Sequence, residues 1–79
     1  MRGDIVIVRA HGGQPLVRRV WEVNGNVVYI TNDEQLKRNE SGLPMLWPVG
    51  FPSEDVFCFS PQIANRSKVE WESLKPYEG

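Results

Sequence analysis

The rhythm of apolar and polar positions changes sharply after residue 31. Before it stand three apolar runs, Ile5-Val6-Ile7-Val8, Leu16-Val17-Arg18-Arg19-Val20-Trp21-Glu22-Val23 and Val27-Val28-Tyr29-Ile30-Thr31, parted by His11-Gly12-Gly13-Gln14 and by Asn24-Gly25. Branched and flat side chains dominate the runs, and these fit a pleated surface. Asn24-Gly25 is expected at the centre of a type I′ hairpin, because both residue types tolerate the positive φ that turn demands. The pattern predicts a three-stranded antiparallel meander.

Between Thr31 and Asn39 the chain turns polar. Thr31 with Glu34, or Asn32 with Gln35, has the spacing of a capping box, and Asp33 precedes Lys37 as Glu34 precedes Arg38, acid before base one helical turn apart. Only Leu36 is apolar there, so a short solvated helix or turn between Asn32 and Asn39 is expected, ended by Ser41-Gly42. Residues 43–60 are apolar but punctuated by Pro44, Pro48 and Pro52, which withhold their amides from any ladder. A bent strand at Leu46-Trp47-Pro48-Val49-Gly50-Phe51, a turn or 3₁₀ turn at Pro52-Ser53-Glu54-Asp55 and a last strand at Val56-Phe57-Cys58-Phe59 follow from that text. In the tail, Ser67-Lys68-Val69-Glu70 could cap two helical turns that Pro76 stops, while the alternation through Glu72 equally fits a strand. Val69, Trp71, Leu74 and Tyr77 make the tail too apolar to float free.

Seventy-nine residues hold one core, with residues 1–60 as the folded unit and residues 61–79 as a tail docked on it or on a partner subunit. A domain this small buries only about 60% of the surface its unfolded chain exposes, so its stability margin is thin. The single cysteine, Cys58, excludes an internal disulfide and a Cys₄ or Cys₂His₂ zinc site. A lone thiol, with an apolar N-terminal run too short for a signal core or a membrane span, points to the cytoplasm. Net charge is -1, yet Arg2, Arg9, Arg18 and Arg19 face only Asp4 within the first 19 residues. That asymmetry suits an anionic partner or subunits meeting head to tail.

Two hairpins, a long loop, a bent strand and Phe51-Pro52-Ser53-Glu54-Asp55-Val56-Phe57 together resemble an SH3-like barrel over roughly residues 3–59. The resemblance implies a mainly β fold, a small barrel of about five antiparallel strands with a short helical insertion. A sharper likeness covers residues 3–31. There Gly3-Asp4-Ile5-Val6-Ile7-Val8-Arg9, Gly12-Gly13 and Pro15-Leu16-Val17-Arg18-Arg19-Val20 are similar to the LexA and type I signal peptidase family. In that family the return strand of the hairpin carries a catalytic lysine. Here no Ser-Met nucleophile segment stands before Gly3, and the lysine position falls on Arg18 or Arg19. A guanidinium cannot serve as the neutral base of a Ser-Lys dyad. The likeness therefore implies the hairpin without its catalysis. Gly3-Asp4 at a strand start is also similar to the opening of the PemK and MazF ribonuclease toxins, themselves SH3-like, whose arginine-proline stretch has no clear counterpart at Arg18-Arg19-Val20.

Catalytic residue types are sparse. His11 is the single histidine, at a loop tip with no Cys or Ser nearby in sequence, and reads as a solvated turn residue. Cys58, between Phe57 and Phe59, reads as a small core residue. The Arg2-Gly3-Asp4 tripeptide is explained by a strand-start turn, and the glycosylation matches at Asn39-Glu40-Ser41 and Asn65-Arg66-Ser67 matter only under secretion. The expectation is a non-enzyme without cofactor or metal. Ile5, Ile7, Val17, Val28, Ile30, Val49, Phe51, Val56 and Phe57 suffice to fill a small core. Met45, Leu46, Trp47, Trp71, Leu74 and Tyr77 are left over, and form the expected interaction surface of a homodimer or higher closed oligomer. The alternative is a nucleic-acid-binding barrel using Arg9, Arg18 and Arg19, with Trp21 and Tyr29 near enough to stack on bases. Against it, Arg18 and Arg19 are expected to point to opposite faces, one solvated and one paired with an acid. A short chain of this composition also fits the orphan proteins carried on mobile elements.

Overall fold

The computed structural model describes residues 1–63 and 69–78. Five strands form one antiparallel sheet: β1 (Ile5–Arg9), β2 (Pro15–Asn24), β3 (Val27–Thr31), β4 (Val49–Pro52) and β5 (Val56–Cys58). Their order in space is β4-β3-β2-β1-β5. A short helix, α1 (Asp33–Glu40), lies between β3 and β4, and 3₁₀ turns occupy Ser53–Asp55 and Trp71–Ser73. The fold is mainly β, as the alternation implies. The ladders make one open sheet, whose edge strands β4 and β5 are linked by the three-residue Ser53–Asp55 turn and, among the described residues, by no ladder. Asp55 on that turn is pinned to β1, its Oδ1 accepting from Arg9 Nε at 2.8 Å with Arg9 Nη2 at 2.7 Å. Among the described residues no helix is long and apolar enough to cross a membrane.

The second hairpin turns one residue later than expected. Asn24 pairs with Val27, so the loop is Gly25-Asn26, and Gly25 alone has positive φ, at 60°. Glycine at the first central position is the type II′ pattern rather than I′. The slip is absorbed at Trp21, where the ladder steps from Val20↔Ile30 to Glu22↔Tyr29 and leaves the indole-bearing residue as a bulge. Without that extra residue, every side chain of β2 beyond it would face the wrong side.

Val6, Val8, Val20, Val28, Ile30 and Val56 form the packed cluster, with Phe51 and Tyr77 against it. This corrects the core read from the sequence. All four residues of the first run are apolar, so alternation could not choose between its two faces. The fold turns Val6 and Val8 into the cluster and leaves Ile5 half-buried, Val17 39% exposed and Val49 59% exposed. Ile7 and Phe57, opposite each other on β1 and β5, are buried outside that cluster.

The tail covers Phe57. Trp71 lies over Phe57 with ring centroids 5.2 Å apart, and Leu74 is buried. Phe57 forms an antiparallel bridge with Pro76, flanked by Cys58 N–H donating to Lys75 O at 2.8 Å and Tyr77 N–H donating to Val56 O at 3.1 Å. β1 is therefore buried on both faces, with Val6, Ile7 and Val8 each at 0% exposure. Each contributes roughly 1.5–3 kcal/mol of apolar burial. The tail settles as a 3₁₀ turn and an edge bridge on its own sheet. The Ser67-Lys68 half of the capping box and the Asn65-Arg66-Ser67 match lie outside the described residues.

Candidate functional site

The ends of α1 determine how the chain reaches β4. Asn32 Oδ1 accepts from Gln35 N–H at 2.9 Å, so of the two capping boxes it is Asn32 that starts the helix. Asp33 Oδ1 takes Arg19 Nε at 2.6 Å, which ties the first turn to β2. At the other end Leu43 N–H donates to Arg38 O at 2.8 Å and Gly42 N–H to Asn39 O at 3.0 Å, with Gly42 at φ 74°. This is a Schellman stop, which needs a residue free to adopt positive φ. Residues 43–48 then run back along the helix. Arg38 Nε donates to Pro44 O at 2.8 Å, and Leu46 N–H donates to Gln35 Oε1 at 2.8 Å.

That path turns apolar side chains outward. Trp47 is 92% exposed, Leu46 74%, Val49 59% and Leu43 53%, with Met45 half-buried beside them. Trp47 walls two grooves. One, of about 210 Å³, is bounded by Trp21, Asn39, Met45, Leu46 and Pro48. The other, of about 150 Å³, is bounded by Arg18, Ile30, Thr31, Asn32, Gln35 and Val49 together with Leu46. Among the described residues, neither lining contains a carboxylate. Trp21 is itself braced, with Arg2 lying 3.9 Å from its ring centroid and donating through Nε to Trp21 O.

The six candidate interaction residues therefore divide. Met45, Leu46 and Trp47 share this outward patch. Trp71, Leu74 and Tyr77 belong to the tail's contact with its own sheet, so they do not join the patch. Sequence reading missed Val49, assigned to the core, and Asn39, which completes a groove wall; Trp21, read there as near enough to stack on a base, lines the same groove. The signal available was Pro44 and Pro48 closing off the ladder around residues 45–47.

The arginines do not form a ridge. Arg9 is held by Asp55 and lies 5.6 and 5.5 Å from the ring centroids of Phe57 and Trp71. Arg19 is held by Asp33 and by Gly3 O at 3.0 Å. Arg18 points to the other face, as neighbours on a strand do, and among the described residues donates only to Val17 O. His11 is exposed and lines an open concavity of about 370 Å³ with Arg9, Ala10, Gly13, Phe51 and Asp55. Among the described residues no three His, Cys, Asp or Glu side chains gather as a metal site. Cys58 is half-buried rather than a core residue, its Sγ 3.6 Å from Pro76 O.

One polar cluster holds the two ends of the chain together. Tyr77 Oη donates to Asp4 Oδ2 at 2.9 Å, and the Met1 ammonium reaches Tyr77 Oη at 2.6 Å and Asp4 Oδ2 at 3.1 Å. The ammonium's hydrogen bond, then that of Tyr77, holds the Asp4 carboxyl below its usual value. Burial, then the neighbouring Asp4, pushes the Tyr77 phenol up to about 12. Compared with protein-family models, with characterised proteins and with solved structures, this chain finds no match.

Proposed function

We propose that this chain is a non-catalytic binding module that assembles with copies of itself through residues 43–49. Its strand order, with a 3₁₀ turn between β4 and β5, suits an SH3-like scaffold carrying an inserted patch. The observation that carries the reading is an indole 92% exposed, flanked by exposed Leu46 and Val49 and by uncharged groove walls on the Trp21 side. Leu43, Leu46, Trp47 and Val49 together offer roughly 500 Å² of apolar surface, within the range where the largest patch of a monomer is often functional. Sedimentation velocity across low to high micromolar concentrations tests it. The expected mass rises to at least that of two chains, and a single-chain mass at every concentration rejects the reading.

A second reading has one observation in its favour. Arg18 lines the groove that Trp47 walls and has no carboxylate within that lining, so a base stacked on Trp47 would place its phosphate near a cation. Single-stranded oligonucleotide binding at low salt that weakens steeply as salt rises would support it, and no binding at low salt would reject it.

A further inference from the structure

We infer that two copies meet about a two-fold axis, the Trp47 of each entering the groove between Trp21, Met45 and Pro48 of the other. The inference rests on the self-association reading above and specifies its geometry.

Sheet addition is a poor route at either edge. The outer edge of β5 is already occupied by the Lys75 and Tyr77 backbone. On β4, Ser53 N–H donates to Asn26 O, and the register continues as Phe51 with Val28 and Val49 with Ile30. Bonded pairs alternate along an antiparallel ladder, so Val49 and Phe51 turn their backbone groups toward β3 while Gly50 and Pro52 turn theirs outward. Proline has no amide hydrogen. Gly50 then offers the one outward N–H of this strand, too little for a strand-to-strand contact.

Side chains are left to make the contact, and the patch is self-complementary. A projecting indole forms one wall of a groove of about 210 Å³ on the same surface. An isologous contact requires that pairing, because each copy must supply both the inserting group and its receptor. Among the described residues the groove wall carries no charged side chain, Asn39 supplying its one amide, so an entering indole strips water from no charge there. Covering roughly 500 Å² of apolar side chain and a polar rim on each copy gives an interface near the lower end of the specific range of about 1,200–2,000 Å². A reversible dimer of micromolar rather than nanomolar affinity is expected.

The test uses the full chain in three forms: wild type, Trp47→Ala, which removes the inserting indole and one wall of its own groove but keeps Trp21, Met45 and Pro48, and Met45→Trp with a filled groove and an intact Trp47. Asn39→Phe serves as a second groove-filling variant, since residue 39 is exposed on α1 and lines the groove. Circular dichroism first confirms that each variant folds. Each variant alone should dimerise at least roughly 30-fold more weakly than wild type, as for the loss of an interface hot spot. An equimolar mixture of Trp47→Ala with either groove-filled variant should regain association, because one intact indole then meets one open groove that keeps Trp21, Met45 and Pro48. Trp47→Ala dimerising as wild type overturns this geometry, as does a mixture that regains nothing, and in both cases self-association itself stands. A wild type monomeric at high micromolar concentration overturns both.

Discussion

The same substitution at two tryptophans should have opposite consequences. Trp71 is half-buried over Phe57, and truncating it to alanine removes on the order of 100 Å² of buried apolar surface, about 2.5 kcal/mol at 25 cal/mol per Å². The ring pair at 5.2 Å and the Arg9 guanidinium at 5.5 Å are lost as well. Those contacts are each worth about 0.5–1 kcal/mol. A total of about 3.5–4.5 kcal/mol is a large share of the roughly 4–12 kcal/mol expected for a chain of this length. With a urea slope of about 1 kcal/mol per molar, the midpoint should fall by about 3.5–4.5 M. Trp47→Ala, at a position 92% exposed, should stay within about 0.5 kcal/mol of wild type when measured at a concentration too low for association. Urea titration followed by far-ultraviolet circular dichroism reads both. If Trp71→Ala costs less than about 0.5 kcal/mol, or if the two variants lose stability equally, the assignment of one indole to the fold and the other to a surface is wrong.

Tyr77 has a raised phenol pKa, so its hydrogen bond contributes stability that is complete below pH 10.0 and is lost as pH rises through about 12. In a Tyr29→Phe background, the tyrosinate absorbance should therefore titrate near 12 rather than 10, and an inflection at 10 contradicts the buried contact. Asp4 is depressed, so its contribution is present above 3.8 and fades as pH falls through its lower folded value; Asp4→Asn should flatten the acid limb of a stability–pH curve, and an unchanged limb argues against the clamp. Gly42→Ala should cost about 1 kcal/mol because the helix stop needs positive φ, measured as a lower thermal midpoint, and no change would mean the stop is made another way. Asp55→Asn should cost about 1–2 kcal/mol through the half-exposed Arg9 pair, and a double-mutant cycle with Arg9→Met returning no coupling would refute it.

Local signals carried much of the fold and little of the patch. The sheet's meander, the short helix and the Ser53–Asp55 turn follow from β-branched runs, a capping pair and a Pro-Ser-Glu-Asp sequence, all of which act over a few residues. Gly25 marked a turn, but one residue of slip at Gly25-Asn26 and its compensation at Trp21 depend on the whole ladder, which no local window holds. Ile5 through Val8 carry no polar residue to choose a face; pairing with β2 and β5 chooses it. The tail's place on Phe57 is a contact between distant segments, so neither its 3₁₀ turn nor its bridge could be read from period. The opposite facing of Arg18 and Arg19, with one paired to an acid, follows from strand geometry, though the partner came from α1 rather than from across the sheet. Met45, Leu46 and Trp47 were marked by composition and their prolines, while Trp21 and Asn39 reach the same groove only through folding.

The clasp between Asp4 and Tyr77 joins residues 73 positions apart. Closing so long a loop costs entropy that a two-residue hairpin does not, although the cost grows only with the logarithm of length. The β2–β3 hairpin thus has a head start, and β5 with the tail closes over β1 late. Contacts made after the rate-limiting step leave the refolding rate alone and hold back escape from the native state. In stopped-flow kinetics, Tyr77→Phe should chiefly speed unfolding, while a change at Gly25 should slow folding. The tail is thereby a latch on the lifetime of the fold more than a guide to reaching it.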